Sequence, residues 1–243
     1  MSKTSNLNGI NRKLNSKVTW DHENGMLLFC GGWPSQWQAS PFTDDEGKTF
    51  SCCEQYMMYH KARTFSDTVA MEKVMKTTKP AVHKRIGREV QNFDGKKWDS
   101  VCDGIVEKGN LLKYQQNAEL REELRATKGL LIVEASSYDK IWGIGMAASD
   151  PASRDPAQWP AGGNRLGKAL MKVRDTLFGE GDADGGGKGG AAVAAAAAGE
   201  SCEGDDVEQG EDSAASPTPE SPKRRCAALA GGAVEGVGGR KRG

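Results

Sequence analysis

A glutamate and a lysine interrupt the otherwise apolar and aromatic stretch Cys52–Ala62, and they are the first candidates for chemistry. At the rise of an α-helix, Glu54 and Lys61 lie two turns apart on one face, about 10 Å along the axis. Because helical side chains lean toward the N-terminus, Lys61 can reach back toward Glu54, and the two groups could flank one small ligand. The alternative is structural: both are solvated charges, or Glu54 completes a capping box with Ser51 as N-cap.

A second candidate segment follows the clearest strand of the chain. Residues 129–135 form a short, β-branched, apolar run introduced by a glycine, which is typical of a buried strand. They lead into residues 136–145, a loop that combines hydroxyl groups, Asp139, Trp142 and glycines that include Gly143. A polar loop at the end of a buried strand is a common way to build a site.

Other segments could bind a ligand near these two. Trp37 belongs to a proline-rich loop over residues 33–42, which is either a packed corner or the wall of a pocket. Asn164 is a suitable N-cap for a final helix, so that the first amides of this helix, together with Arg165, could hold an anion. The alternative for Asn164 is ordinary capping.

A basic cluster lies on a helix that we expect to begin at Pro80. Val82 and Ile86 form its apolar side, whereas Lys84, Arg85 and Arg88 lie on the other side. We interpret the cluster as solvent-facing, with Arg88 able to turn inward and hold a phosphate.

The remaining periodicity predicts the elements that must position these groups. A short strand over residues 26–30, a helix that begins at Asp67, and helices over residues 98–112 and 117–127 complete the apolar pattern. Together they predict an α+β fold, in which a single, mainly helical domain surrounds a small sheet.

Composition divides the chain into three parts. Residues 1–17 are polar and are expected to form a flexible N-terminal segment, residues 18–179 carry the core, and residues 180–243 are a low-complexity tail expected to be disordered. The net charge is zero, with 33 acidic and 33 basic side chains, so no whole-molecule field recruits duplex nucleic acid or an anionic membrane.

The cysteines and the tail indicate a compartment. Six cysteines without a CxxC pair, and an N-terminus without a secretory signal, indicate a reducing intracellular environment, and Cys52 and Cys53 are expected to be small buried residues. A Pro-Lys-Arg-Arg run at residues 222–225 is similar to a nuclear-import signal, so the expected location is cytoplasmic or nuclear. Three scattered histidines indicate that the chain has no zinc site. The sequence does not indicate an oligomeric state.

Several short segments occur in an order that is typical of one enzyme family. They are Ser35-Gln36-Trp37, Glu54 to Ala62, Gly87-Arg88, Trp98, Glu134-Ala135-Ser136, Asp139 to Gly145, and Asn164 to Gly167. Together they resemble the NADAR family, the YbiA-like N-glycosidases, across nearly all of residues 29–178.

The resemblance implies an enzyme that cleaves a bond between a ribose anomeric carbon and a nitrogen, without a cofactor. Glu54 and Asp139 match the acids of the family motifs, Lys61 the motif lysine, and Trp98 the motif tryptophan. The implied partner is a small-molecule or nucleobase-linked phosphoribosyl substrate. It is either a phosphoribosylamino-pyrimidine intermediate of riboflavin synthesis or ADP-ribosylated guanine, free or within nucleic acid.

Breaking this bond develops positive charge on the sugar and negative charge on the leaving nitrogen. We therefore expect Glu54 to be the principal acid/base, with a pKa raised by its apolar surroundings. Lys61 is expected to act as a nucleophile that forms a Schiff base, or as an electrostatic partner. Asp139 is expected to orient the sugar or water.

A set of aromatic, cationic and small residues is expected to bind the substrate: Trp37, Tyr56, Arg88, Trp98, Trp142, Gly143, Asn164 and Arg165. Trp98 and Trp142 would stack on a base or ribose, and the arginines and asparagine would bind phosphate. The alternatives are a non-catalytic module that binds ADP-ribose or a nucleotide, and an interaction protein that acts through its tail. Two acids favour the enzyme, since binding a phosphorylated ribose requires cations and donors more than carboxylates.

Overall fold

A computed structural model describes residues 17–179, which form short strands, α-helices and two 3-10 turns. The strands are β1 (Val18–Asp21), β2 (Met26–Phe29), β3 (Phe42–Thr43), β4 (Thr49–Phe50) and β5 (Leu131–Glu134). The helices are α1 (Cys53–Thr64), α2 (Thr68–Met75), α3 (Pro80–Arg88), α4 (Gly95–Asp99), α5 (Cys102–Gln116), α6 (Ala118–Ala126) and α7 (Arg165–Phe178). The 3-10 turns are Pro151–Arg154 and Pro156–Gln158. The predicted α+β class is confirmed, whereas residues 1–16 and the predicted disordered tail, 180–243, lie outside the described residues.

The main sheet has the strand order β1-β2-β5. β1 is antiparallel to β2, and β2 is parallel to β5, with Met26 opposite Leu131 and Phe29 opposite Glu134. Because β2 and β5 are parallel, the loops that follow them leave from the same edge of the sheet. Ligands of α/β proteins commonly bind at this carboxyl edge.

The two faces of the main sheet are covered differently. Residues that alternate along a strand point to opposite faces. Leu27, Phe29 and Ile132 contribute to the large core formed with the helices. The strand residues on the other face form a smaller cluster, which Ala135 and Ile144 join: Met26, Leu28 and Val133.

Helix α1 lies at the centre of the large core and packs against α2, α3 and α5. Eight of its 12 residues are buried, and these include the polar residues Glu54 and Gln55. Contact with α3 is close at Gly87, because a Cβ atom there would lie 1.9 Å from the sulfur of Met58. A glycine at this position therefore allows α3, with Lys84 and Arg88, to approach α1.

The capping box predicted at the start of α1 is wrong. Cys52 occupies the N-cap position, and the amide and hydroxyl of Ser51 donate to Oε1 of Gln55 at 2.7 and 2.9 Å. The side chain that reaches back is thus Gln55, one position beyond Glu54. This correction removes the structural role that competed with a catalytic role for Glu54.

The helix predicted over residues 98–112 is divided in two. Helix α4 ends at Asp99, and α5 begins at Cys102. The Ser100 hydroxyl donates to the carbonyl of Lys97 at 2.8 Å and thereby closes the last turn of α4. A side chain that bonds the backbone in this way competes with continuation of the helix.

The other predicted helix starts are confirmed. Asp67 caps α2 by accepting a hydrogen bond from the amide of Ala70 at 2.9 Å, and α3 begins at Pro80. Cys52 and Cys53 are buried, as expected. Within residues 17–179, no helix is long and apolar enough to cross a membrane.

Candidate active site

Glu54 is a buried carboxyl in the first turn of α1, and its side chain is only 6% exposed. Burial raises its pKa to about 7, since an apolar environment disfavours the charged form. The raised pKa agrees with the expectation from the sequence. A hydrogen bond from the Trp37 side chain opposes the effect of burial by stabilising the ionised form. Trp37 itself is 37% exposed, so it lies between the carboxyl and solvent.

Besides the hydrogen bond from Trp37, the charges of three residues act on Glu54. Lys84 and Lys61 lower the pKa of Glu54, and Asp139 raises it. These residues come from α1, α3 and the loop after β5, so the fold brings Glu54, Lys61 and Asp139 into one electrostatic neighbourhood.

Lys61 lies among aromatic rings. Its Nζ atom is 4.4 Å from the centroid of the Phe93 ring and 5.6 Å from that of Trp98. Cation–π attraction of this kind favours an ordered ammonium group. The structure therefore also places the predicted Trp98 beside the predicted Lys61.

The loop after β2 is held in place by a buried lysine. Lys113 of α5 is fully buried, and its Nζ atom donates to the carbonyls of Trp33 at 2.8 Å and Ser35 at 3.1 Å. The next carbonyl, that of Gln36, accepts the amide of Glu54 at 3.0 Å. Lys113 thereby positions the loop that carries Trp37 against the start of α1.

Asp139 organises the loop after β5. Its Oδ1 atom accepts hydrogen bonds from the amides of Ile141 at 2.9 Å, Trp142 at 2.7 Å and Gly143 at 3.4 Å. Gly143 is required here, because a Cβ atom would lie 2.8 Å from the carbonyl oxygens of both Asp139 and Glu134. One carboxylate oxygen of Asp139 therefore has a structural role, whatever the other does.

The start of α7 differs from the expectation of free amides that bind an anion. The amides of Asn164, Arg165 and Leu166 donate to the carbonyls of Gly143, Ile141 and Trp142, at 2.8, 3.2 and 3.1 Å. These three amides are therefore satisfied by the loop after β5.

The side chain of Asn164 is directed to the sheet. Its Oδ1 atom accepts from the amide of Glu134 at 3.0 Å, and its Nδ2 atom donates to the carbonyl of Ile132 at 2.9 Å. Its backbone is left-handed, with φ 58°, a conformation that asparagine tolerates better than most residues. Asn164 thus joins β5 to α7; its predicted contact with a substrate stays a prediction.

Arg165 is bound within the protein. Its guanidinium donates to Asp99 at 2.5 Å, to Asp103 at 2.7 Å and to the sulfur of Cys102 at 3.0 Å, so each of its three nitrogens has a partner. It also lies 5.2 Å from the centroid of the Trp142 ring. These contacts position Trp142, and the predicted binding of phosphate would require Arg165 to exchange a carboxylate for the ligand.

Tyr56 and Arg88 are the remaining predicted binding residues. Tyr56 packs in an aromatic cluster, with ring centroids 5.0 Å from Phe50, 5.7 Å from Phe42 and 4.2 Å from His60. Arg88 is exposed at the C-terminal end of α3. Their predicted contacts with a substrate stay predictions.

Sequence reasoning assigned no role to two charged residues of the site, Glu134 and Lys84. Glu134 ends β5, and burial, followed by the charge of Asp139, raises its pKa to about 8. Lys84 lowers the pKa of both Glu134 and Glu54. Arg85 and Arg88 of the same basic cluster are exposed, as expected, whereas Lys84 is half-buried. A charged residue at the end of a buried strand was the available signal for Glu134, whereas the spacing in α3 carried none for Lys84.

The carboxyls do not converge on a metal position. Among the residues from 17 to 179, there is no group of three or more His, Cys, Asp or Glu side chains arranged to hold an ion. The site is therefore described by carboxyls, lysines and tryptophans alone.

A family model described as the NADAR domain matches residues 20–178. N-glycosidase R617 of Acanthamoeba polyphaga mimivirus is 42% identical over 145 residues, which cover 58% of this chain and 85% of the viral protein. N-glycosidase YbiA of Escherichia coli (strain K12) is 33% identical over 132 residues, covering 54% of this chain and 73% of YbiA.

The fold is also similar to a solved structure. The NMR structure of the E. coli protein YbiA superposes with a TM-score of 0.52 and 29% identity, over 68% of this chain and 91% of that chain. A riboflavin biosynthesis protein of Vibrio vulnificus (strain YJ016), VVA0006, is 29% identical over 127 residues, which are 31% of its length. The names of the viral and bacterial relatives support an enzyme, a hydrolase that acts on N-glycosyl bonds.

Proposed function

Because the chain belongs to the NADAR domain family, we propose that it hydrolyses the bond between C1 of a ribose and a nitrogen of its substrate, with Glu54 as the principal acid/base. The observation that carries the proposal is the buried carboxyl of Glu54, whose pKa is raised to about 7. At neutral pH such a carboxyl is present in both protonated and ionised forms. A group of this kind can accept a proton and give it back within one catalytic cycle.

The proposed substrate is a phosphoribosylamino-pyrimidine intermediate of riboflavin synthesis or ADP-ribosylated guanine. The riboflavin biosynthesis protein among the relatives supports the first. In both, a ribose is joined through an exocyclic amine, so that the same cleavage releases a free base. Trp37 and Trp98, which lie beside Glu54 and Lys61, supply aromatic surface for stacking on the base or ribose.

Two routes to the product use the same residues. In the first, Glu54 takes a proton from water as the water attacks C1, and Lys61 acts only through its charge. In the second, the ribosylamine opens to an imine, and the amine of Lys61 adds to C1 and releases the base. Water then cleaves the resulting Schiff base. The rings of Phe93 and Trp98 hold the Nζ atom of Lys61 in place for either route.

The proposal predicts that Glu54→Gln lowers kcat by roughly 10²- to 10⁴-fold, because glutamine cannot transfer a proton. Glutamine retains an oxygen that can accept the hydrogen bond from Trp37, so the fold is expected to persist. Release of guanosine from ADP-ribosylated guanosine, and of the free aminopyrimidine from a phosphoribosylamino-pyrimidine, would be followed by chromatography. The matched control is Glu23→Gln, which changes an exposed glutamate in the turn between β1 and β2.

Full turnover by a folded Glu54→Gln variant would contradict the role of Glu54. Binding of either compound by the wild type, without release of base, would instead support the non-catalytic binding module.

The second prediction concerns Lys61. Lys61→Ala is expected to lower kcat by at least roughly tenfold, since both routes use this residue. Lys168→Ala, on the exposed side of α7, is the control. Borohydride reduction during turnover separates the routes, because only a Schiff base leaves the sugar attached to Lys61, as detected by mass spectrometry. Unchanged turnover of Lys61→Ala would remove Lys61 from the mechanism.

A further inference from the structure

Glu134 is the last residue of β5, at the edge of the sheet from which the site loops leave. Side chains alternate along a strand, so Glu134 points to the same face as Ile132, which belongs to the core beneath the helices. The intervening Val133 belongs to the cluster on the opposite face. The backbone therefore directs the half-buried Glu134 to the face of the sheet that the helices of the large core cover.

The backbone and side chain of Glu134 are held from three sides. Its amide donates to Oδ1 of Asn164 at 3.0 Å, and its carbonyl accepts from Ile144 at 3.0 Å. Gly143 lies directly against the side chain, because a Cβ atom there would be 3.0 Å from Cγ of Glu134. Asn164 thus fixes the backbone of Glu134, and Gly143 leaves room for its side chain.

Charged or titratable groups of several elements act on Glu134. They are Asp139 of its own loop, Lys84 of α3 and Glu54 of α1, and the thiol of Cys30 follows β2. Lys84 is a positively charged neighbour of both Glu54 and Glu134, and it lowers the pKa of each. The two carboxyls therefore form a pair beside one cation.

We propose that Glu134 is a second catalytic carboxyl, which donates a proton to the leaving nitrogen while Glu54 accepts a proton from the attacking water. The inference rests on the proposed function and extends it to a residue outside the expected set. Lys84 is the cation that keeps one member of the pair ionised.

The proton and electron balance of this step is complete. The electron pair of the C1–N bond goes to the nitrogen, which takes the proton of Glu134 and leaves as an amine. An oxygen of water bonds to C1 and gives one proton to Glu54. Transfer of that proton back to Glu134 through solvent restores the pair, so the net reaction adds one water across the C1–N bond. In the Schiff-base route, Glu134 protonates the same leaving amine.

The order of the two pKa values matches these roles. Glu134, at about 8, holds its proton at neutral pH, whereas Glu54, at about 7, is the first to lose one. Two carboxyls whose surroundings separate their pKa values are the usual arrangement for an acid and a base in one site.

The test is the pH dependence of kcat/KM, since this parameter reports the essential groups of the free enzyme. The full chain is assayed with ADP-ribosylated guanosine and with a phosphoribosylamino-pyrimidine, using whichever the wild type cleaves faster. For the wild type, we expect a bell-shaped plot of kcat/KM against pH. Ionisation of Glu54 near pH 7 sets its acidic limb, and ionisation of Glu134 near pH 8 sets its alkaline limb. Glu134→Gln should lower kcat by roughly 100-fold or more and should abolish the alkaline limb of the remaining activity.

Two companion variants keep this test decisive. Glu134→Asp retains a carboxyl and is expected to retain an alkaline limb at reduced kcat, which also covers the case in which Glu134→Gln fails to fold. Glu23→Gln, in the exposed turn between β1 and β2, should leave the bell unchanged.

An alkaline limb that persists in Glu134→Gln would overturn the inference even if kcat falls, because a merely structural role would leave the limb in place. Loss of the limb in Glu134→Asp would overturn it as well. These outcomes leave the proposed function intact. A wild type that cleaves neither compound would overturn the proposed function and this inference with it.

Discussion

Burial of two carboxyls lowers the stability of the folded protein at neutral and alkaline pH. Glu54 and Glu134 have pKa values raised to about 7 and about 8, while the ordinary value is 4.5. Between pH 4.5 and pH 7 to 8 the folded state therefore binds more protons than the unfolded state. Stability falls as pH rises through this window, because its slope follows the difference in bound protons, unfolded minus folded.

The direction of this pH dependence gives a prediction for one residue, Glu54. Glu54→Gln carries no charge, so we expect it to be about 1–3 kcal/mol more stable than the wild type at pH 8.5. The difference should largely disappear at about pH 3.5, below the ordinary pKa of 4.5, where both folded and unfolded glutamate hold a proton. Urea unfolding at the two pH values measures it, with the exposed Glu23→Gln as control. A variant that is destabilised equally at both would contradict this pH dependence and show that the Glu54 carboxyl stabilises the fold in either protonation state.

The sequence predicted those candidate residues that lie together on one helix or on one loop. Glu54 and Lys61 share a face of α1 because of the helical repeat, and Asp139 follows a recognisable strand. Glu134 had only the signal of a charged residue at the end of a buried strand, and Lys84 had none. Their significance depends on the approach of α3 and β5 to α1, which no local pattern describes.

At the scale of elements, the joint between β5 and α7 determines the geometry of the site loop. Asn164 binds the backbone of β5, and the first amides of α7 bind the carbonyls of the loop that begins after β5. Gly167 allows this close approach, because a Cβ atom there would lie 2.1 Å from the carbonyl oxygen of Ile132. Movement of α7 would therefore disturb Glu134 and the Asp139 loop together.

Gly167→Ala is accordingly expected to destabilise the protein by about 1–3 kcal/mol or more, because the added methyl group meets backbone that cannot turn away. The control is Gly104→Ala in α5, where a Cβ atom would meet open space. That control should be neutral or up to about 1 kcal/mol more stable, since alanine favours a helix. Equilibrium denaturation of both variants provides the comparison, and equal stability of the two would contradict the tight joint.

Element boundaries followed from the sequence where a local interaction sets them. Asp67 and Pro80 begin helices as expected. At the start of α1, the expected partner of Ser51 was wrong by one residue. Gln55, and not Glu54, accepts the hydrogen bonds of Ser51. Glu54 is instead turned toward Trp37, a contact that depends on how Lys113 holds the distant loop after β2.

At the scale of the whole molecule, the described residues and the family match cover the same part of the chain. The structure describes residues 17–179, and the family model matches residues 20–178. All the residues proposed for the site lie within this part. The alternative in which the tail carries the function, and the predicted nuclear-import signal, both concern residues outside the described part.

We therefore predict that a chain ending at Gly179 retains turnover within about threefold of the full chain, because every proposed catalytic group is present. The measurement is release of base under identical conditions, with thermal unfolding of both proteins to show that the domain is folded. Loss of more than about tenfold from a folded domain would favour the interpretation in which residues 180–243 carry the function.

The sequence alone determined the class of fold, the family resemblance and the residues that share one helix face or one loop. These depend on local repeat and on order along the chain, both of which are written in the sequence. Only the tertiary structure decided which charges are buried together: Glu54 and Glu134 beside Lys84, and Arg165 bound to Asp99 and Asp103. The physical reason is that a pKa depends on burial and on charges brought near by packing, and the residues concerned are separated by up to 80 positions in the chain.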